Sequence, residues 1–431
     1  MKNQNKRLIV RLLTIILSIV LCLSMAVPAF ALGAEGEVEG TEQNPATVAI
    51  TKTFKIPEGT TTPNLTFGFA FVKKALNNNS ETSDLSKMPS ISDHTILFSD
   101  SDNPAAIDGI KSITTEEVID LTGVIFPYAG AYTYTVTEVQ SLVAGSLDTN
   151  ESLVFSKAAY EITFYVSEGD NGLYVSAIGT YVIKNNEGTD VTKEKVDPTP
   201  GTGGGLGAGG LLFTNSYTKN TGGVNPTNPA SQVLSISNAV AGDFKDTSKY
   251  FEYSVTVTKP AIAGAATTYK AYILNGDNDV INPAQNAPGA TIKTDDAGKK
   301  YIEFPADTLM TIKLKHNETL VFTDVPVGAS YVAVNQGAED YTPTATIYVN
   351  GAEITPGLSA GVGQFLSTNN RIIGETTPNS AAFINTHKSI PVTGLIINNL
   401  PFIIIFAIAV CAFVIFVVVK SRKRRDYSSR Y

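Results

Sequence analysis

Val48-x-Ile50-x-Lys52-x-Phe54-x-Ile56 puts an apolar side chain at every second position and a lysine in the middle of the same row. Period-two alternation marks a half-buried β-strand, because successive side chains point to opposite faces. The lysine is the constraint. An ammonium group taken out of water without a partner is costly, so whatever packs on this strand must supply one. Similar short runs recur at Leu65–Phe71, Gly130–Glu138, Tyr160–Val166, Leu173–Ala177 and Leu211–Tyr217, between turns rich in Gly, Asn, Asp and Pro. No long stretch of residues 32–393 carries helical period. The pattern predicts an all-β chain of the sandwich kind, and about 360 residues suggest two domains.

Both ends of the chain read as processing segments. Lys2, Lys6, Arg7 and Arg11 precede an apolar run, and Ala29-Phe30-Ala31 fits the small-x-small cleavage pattern of a secretory signal, with the cut after Ala31. At the other end, Ile390-Pro391-Val392-Thr393-Gly394 leads into the uncharged run Leu400–Val419 and then Lys420-Ser421-Arg422-Lys423-Arg424-Arg425. Twenty apolar residues are long enough to cross a bilayer, and the basic cluster would stay on the cytoplasmic side. Motif, run and cluster together resemble the cell-wall sorting signal of Gram-positive surface proteins, with Ile390 where Leu is commonest. The resemblance implies a membrane sortase that cuts between Thr393 and Gly394. It then joins the threonine carboxyl to an amine of peptidoglycan or of another pilin, after transient membrane insertion of the tail.

Cys22 and Cys411 both lie in the removed segments, so the mature 32–393 chain has no disulfide, thiol chemistry or cysteine metal site. The whole chain has 32 Lys+Arg and 40 Asp+Glu; taking away four basic residues at the start, and six plus Asp426 in the tail, leaves 22 against 39. A surface that acidic disfavours nucleic acid as a partner.

Three polar residues break the apolar rows of a first domain at 46–218. They are Lys52, Glu138 on the face of Tyr132, Tyr134 and Val136, and Asn215 on the face of Leu211, Phe213 and Tyr217. They can form a hydrogen-bonded core cluster. They can also react: desolvation lowers a lysine pKa and raises a carboxyl pKa. A neutral amine held beside an amide carbon is then a nucleophile at high effective concentration. A protonated carboxyl can polarise the amide oxygen and move protons. The product is a Lys–Asn isopeptide bond, with ammonia released. Val-x-Ile-Thr-Lys, Tyr-Thr-Tyr-Thr-Val-Thr-Glu and Phe-Thr-Asn-x-Tyr resemble the streptococcal pilin isopeptide-linkage domain. That resemblance implies an immunoglobulin-like sandwich with a Lys52–Asn215 cross-link and Glu138 as its acid/base. The bond would close a loop whose entropy is on the order of 4–5 kcal/mol. Between these strands, residues 73–106 read as an exposed insertion. Residues 197–210 read as a flexible Gly-rich loop with no phosphate-binding pattern.

A linker at 219–229 precedes a second pilin-like sandwich at 230–388, in tandem with the first. Its expected strands run from Leu234, from Phe251 to Val257, through Glu318–Asn335 and over Ala382–Thr386. Asn238 stands where the lysine would be, Asn335 where the acid would be, and only Asn385 matches, so no internal bond is expected unless Lys245, Lys249 or another nearby lysine substitutes. No cofactor or metal is expected: Asp277-x-Asp279 lacks the Gly and Glu of a calcium loop, and His94, His316 and His387 are scattered. No turnover enzyme is expected either.

The sequence therefore reads as a wall-anchored structural protein, a pilus or fimbrial subunit. Its partners would be sortase and peptidoglycan or other pilin subunits. The alternative is a lone wall-anchored adhesin that binds a host or matrix ligand through 73–106 or 197–210. No Tyr-Pro-Lys motif selects an acceptor among Lys184, Lys193, Lys195 and Lys219.

Overall fold

The computed structural model describes residues 37–202, 205–388 and 392–428, so Ala29, Ala31, Ile390 and Pro391 lie outside the described residues. The chain divides into two compact units. One runs to Lys219 and includes Pro260–Ala265; the other comprises Asn220–Lys259 and the chain from Ala266.

Unit 1 contains β1 (Glu37–Glu39), β2 (Ala49–Pro57), β3 (Leu65–Leu76), the short helix α1 (Thr82–Leu85), β4 (His94–Phe98) and β5 (Ile110–Val118). It continues with β6 (Gly130–Glu138), β7 (Glu151–Val154), β8 (Ala159–Gly169), β9 (Gly172–Lys184), β10 (Asp190–Lys195) and β11 (Leu211–Lys219). One sheet has the order β1-β9-β8-β6-β3-β4, with β10 also on β9; the other has the order β5-β2-β11-β7. The inner faces meet through aromatic pairs, Phe54 with Phe67 at 5.5 Å and Phe69 with Phe213 at 5.0 Å between ring centroids. This is the expected sandwich, and its core is built from the alternate residues that the period-two pattern turns inward.

The 73–106 segment is not the exposed insertion expected from its composition. β3 continues to Leu76, β4 pairs with it in register, and Met88, Ile91, Ile96 and Phe98 are buried in the core. The Asn, Ser and Asp residues occupy the turns and the short helix α1 around these anchors, which outvote the average polarity. The 197–210 loop is pinned at both arms. Glu116 of β5 accepts the N–H of Gly201 at 3.0 Å and that of Gly207 at 2.8 Å, and also the Thr51 hydroxyl at 3.2 Å.

Unit 2 contains β12 (Leu234–Ala241), β13 (Phe251–Thr258), β14 (Thr268–Leu274), β15 (Val280–Ile281), β16 (Ile292–Thr294), β17 (Lys300–Pro305) and β18 (Met310–Leu314). Then follow β19 (Glu318–Phe322), β20 (Ser330–Asn335), β21 (Tyr341–Val349), β22 (Ala352–Ser359), β23 (Leu366–Ser367), β24 (Arg371–Ile372) and β25 (Ser380–His387). A sheet ordered β16-β17-β14-β19-β12-β25-β21-β22, with β15 on β14, packs on another ordered β18-β13-β20-β23, with β24 on β20. Beyond it, α2 (Val392–Ser428) takes in Val392, Thr393 and Gly394. Its Leu400–Ser421 segment has a mean hydropathy of 3.5 and is exposed throughout, so by length and composition it can cross a membrane.

Candidate functional site

In each unit the first and last long strands are parallel neighbours. In unit 1, β2 pairs with β11 so that Lys52 lies opposite Phe213 and Phe54 opposite Asn215. Lys52 and Asn215 are therefore two residues apart in register on the same inward face. Glu138, the last residue of β6, comes from the opposite sheet, where it pairs with Phe69 of β3. All three side chains are buried, Lys52 and Asn215 completely.

The three groups meet at one atom. Glu138 Oε1 accepts from Lys52 Nζ at 2.7 Å and from Asn215 Nδ2 at 2.7 Å. The walls are aromatic: the Lys52 nitrogen is 4.8 Å from the Phe67 ring centroid and 5.9 Å from that of Phe69. Burial pulls the Lys52 pKa down to about 8, against the attraction and hydrogen bond of Glu138. Burial also raises the Glu138 pKa, although Lys52, Asn215 and the Ser156 N–H all favour its charged form. The two shifts converge, so moving the proton from ammonium to carboxylate costs far less here than in water. The arrangement can supply a neutral amine, a proton carrier and an amide in one dry pocket.

A fourth participant comes from a loop. The Ser156 backbone N–H, between β7 and β8, donates to Asn215 Oδ1 at 2.7 Å and to Glu138 Oε2 at 3.1 Å. A peptide N–H can only donate, so it fixes the Asn215 oxygen on its own side and the amide nitrogen on the side of Glu138. Sequence reasoning gave Glu138 the amide oxygen to polarise; in the structure Glu138 faces the amide nitrogen instead. Residue type could not reveal Ser156, because its contribution is a main-chain group.

Unit 2 holds the matching place with different chemistry. Asn238 of β12 lies opposite Phe383 and Val240 opposite Asn385, which is the two-residue offset of Lys52 and Asn215. Asn335 ends β20 and pairs with Tyr253 of β13, as Glu138 pairs with Phe69. The three asparagines converge, all buried. Asn385 Nδ2 donates to Asn238 Oδ1 at 2.8 Å, and Asn335 Nδ2 donates to Asn385 Oδ1 at 3.0 Å. Tyr253 was not expected here. Its hydroxyl donates to Asn238 Oδ1 at 2.9 Å and lies 3.3 Å from Asn385 Nδ2, and burial raises its pKa. Asn238 Nδ2 is turned outward to the carbonyls of Leu314 and Lys315. Among the described residues no lysine is hydrogen-bonded to these three amides, and Lys249 lies over the Tyr341 and Phe251 rings.

Of the lysines weighed as acceptors, Lys193 pairs with Glu161 and sits over the Tyr181 ring, and Lys184 pairs with Asp190. Among the described residues, no three carboxylate, histidine or cysteine side chains gather to hold a metal.

The model of a domain of unknown function (DUF7601) matches residues 232–387, which lie in unit 2 except for Pro260–Ala265. No curated protein matches the chain. Among solved structures, the chain is similar to the major pilin T3.2 from Streptococcus pyogenes serotype GAS13637. The identity is 17%, over 82% of this chain and 100% of that one, with a TM-score of 0.31. Another major pilin from Streptococcus pyogenes aligns at 17% identity over 80% of this chain and 99% of that one, with a TM-score of 0.30. The pilus-presented adhesin Spy0125 (Cpa) aligns at 19% identity over 49% of this chain and 36% of that one, with a TM-score of 0.21. The structural neighbours are thus streptococcal major pilins and a pilus adhesin, at values from which no role for this chain follows.

Proposed function

We propose that this chain is a structural protein of a Gram-positive cell surface, a pilus or fimbrial subunit, whose first domain closes its own Lys52–Asn215 isopeptide bond. The observation that carries this reading is the shared oxygen: Glu138 Oε1 is in hydrogen-bond contact with both the amine and the amide nitrogen. The Lys52 nitrogen attacks Asn215 Cγ, and the carbonyl electron pair moves onto Oδ1. Glu138, having received one lysine proton, gives it to Nδ2, and the Cγ–Nδ2 bond breaks to release ammonia. Glu138 takes the second surplus proton from Nζ as the carbonyl re-forms. The reaction happens once per chain, and no turnover follows.

The load-bearing logic is topological. β2 and β11 are adjacent and parallel, so a bond between them ties the first long strand of the unit to the last. A pull applied through the chain ends is then carried by covalent bonds rather than by the ladder. Attachment follows the Ile390–Gly394 sequence and the apolar segment after it, with sortase joining Thr393 to peptidoglycan or to another subunit. The reading agrees with the names of the structural neighbours without resting on them.

Wall extracts of the native bacterium, separated under denaturing conditions, test the assembly. A ladder of covalent multimers, with chains ending at Thr393, is expected of a pilus subunit. A single wall-bound species ending at Thr393 would make the chain a lone adhesin. A chain that still carries residues 394–431 would remove the sortase step.

A further inference from the structure

We infer that the Ser156 peptide N–H is the group that stabilises the oxyanion in cross-linking, and that Asn186 and Gln140 are the residues that hold it there. The inference rests on the isopeptide reading and assigns a step within it. When Nζ adds to Cγ, negative charge gathers on Oδ1. Glu138 cannot meet that charge, because its oxygen faces the amide nitrogen. Among the described residues, the donor on Oδ1 is the Ser156 N–H, at 2.7 Å. A backbone donor preorganised in a dry site is the arrangement that lowers barriers to acyl transfer.

The residue that carries this N–H is held from several sides. Gln140 Nε2 donates to the Ser156 carbonyl at 2.8 Å and to the Glu138 carbonyl at 3.2 Å, tying the donor residue to the acid's backbone through the peptide that follows the N–H. The Ser156 hydroxyl donates to Asn186 Oδ1, and Ser156 Oγ accepts the Ala158 N–H at 3.1 Å. Asn186 Oδ1 also accepts the Thr214 N–H at 2.9 Å, beside Asn215, and the Asn186 carbonyl accepts the Lys157 N–H at 2.9 Å. Asn186 thus fixes the distance between the donor loop and the strand that carries the reacting amide. The second unit supports the assignment by contrast: there the matching Asn385 Oδ1 accepts from the Asn335 side chain.

The test follows cross-linking from the moment of synthesis. Residues 32–393 are made by cell-free translation, with an α-hydroxy acid at position 156 that converts the N–H to an ester oxygen. Ser156→Ala, which keeps the N–H, is the matched control, and loss of ammonia is timed by intact mass. The ester chain is expected to close about a hundredfold or more slowly than the Ser156→Ala chain. Equal rates would overturn the inference and leave the cross-link standing. If the wild-type chain itself never loses ammonia, the isopeptide reading falls and takes the inference with it.

A second pair guards against an ester chain that does not fold. Asn186→Ala is expected to slow closure about tenfold or more by loosening the donor. Asn186→Asp keeps both acceptor functions and is expected to restore the rate. Asn186→Ala should keep the wild-type pH profile, since it adds no charge and leaves Lys52 and Glu138 untouched. An Asn186→Ala rate equal to wild type would remove Asn186 from the positioning role.

Discussion

Lys52 and Asn215 sit two residues out of step on adjacent parallel strands, and their side chains meet at one oxygen of Glu138 from the facing sheet. Asn238 and Asn385 repeat the offset in unit 2. The backbone thus offers the same offset twice, with a lysine at the first position in unit 1 and an asparagine there in unit 2.

Removing the bond tests its contribution to stability. Asn215→Ala leaves Lys52 and Glu138 in contact but cannot cross-link. The loss of loop closure is expected to cost about 5 kcal/mol. For a unit of this size that lowers the melting temperature by about 10–20 °C. Calorimetry of residues 32–393 should show the shift in the transition of unit 1, with that of unit 2 unmoved. An unchanged unit 1 transition would mean that no bond was there to lose.

Glu116 gives a second handle on the same bond. Its carboxylate holds Gly201 and Gly207, so Glu116→Ala should make the 197–210 loop a faster site of limited proteolysis. A cut there falls between Lys52 and Asn215. In the cross-linked chain the two pieces stay joined under denaturing conditions, whereas in Glu116→Ala/Asn215→Ala they separate. Separation in both chains would argue against the cross-link.

In unit 2 the Tyr253 hydroxyl does the work that a charged group does in unit 1. Tyr253→Phe strips the donor from Asn238 Oδ1 and removes the neighbour of Asn385 Nδ2. The expected cost is about 1–3 kcal/mol in denaturant unfolding of unit 2, with no change in ammonia loss. A neutral effect would mean that the amides re-pair without it.

The shifted Lys52 pKa makes the unreacted fold pH-dependent. The folded value, about 8, lies below the unfolded one, so between those two pH values the unfolded chain binds more protons and stability rises with pH. Over that window the gain is on the order of 3 kcal/mol. Comparing Asn215→Ala with Lys52→Met/Asn215→Ala cancels the other titrating groups outside the site. The stability difference in favour of Asn215→Ala should widen as the pH climbs above about 8. Glu138, whose pKa is raised by burial, acts in the opposite sense at acid pH: its protonated form favours the fold, and that contribution fades as pH rises above the unfolded carboxyl value. A difference that stays flat above pH 8 would show that Lys52 is not desolvated as described.

Much of this arrangement was legible in the sequence, for a physical reason. A polar side chain on an apolar β-face stands out because the period is two, and Lys52, Glu138 and Asn215 each broke such a row. The asparagines of unit 2 came instead from the resemblance of its strands to the same pilin domain. Tyr253 was not, since a tyrosine among Phe251, Val255 and Val257 reads as core, and nothing in its residue type says where its hydroxyl ends. Ser156 was out of reach because a backbone N–H has no residue signature. The 73–106 segment misled because its polar turns outnumber Met88, Ile91, Ile96 and Phe98, the few residues that anchor it.

The most direct measurement is the intact mass of recombinant residues 32–393 beside Lys52→Ala, Glu138→Ala and Asn215→Ala. The account predicts a wild-type chain lighter than its sequence by one ammonia, and all three variants at full mass. A wild-type chain at full mass would contradict it and reduce Lys52, Glu138 and Asn215 to a hydrogen-bonded core cluster. A loss of two would place a nucleophile in unit 2, where the structure puts an amide.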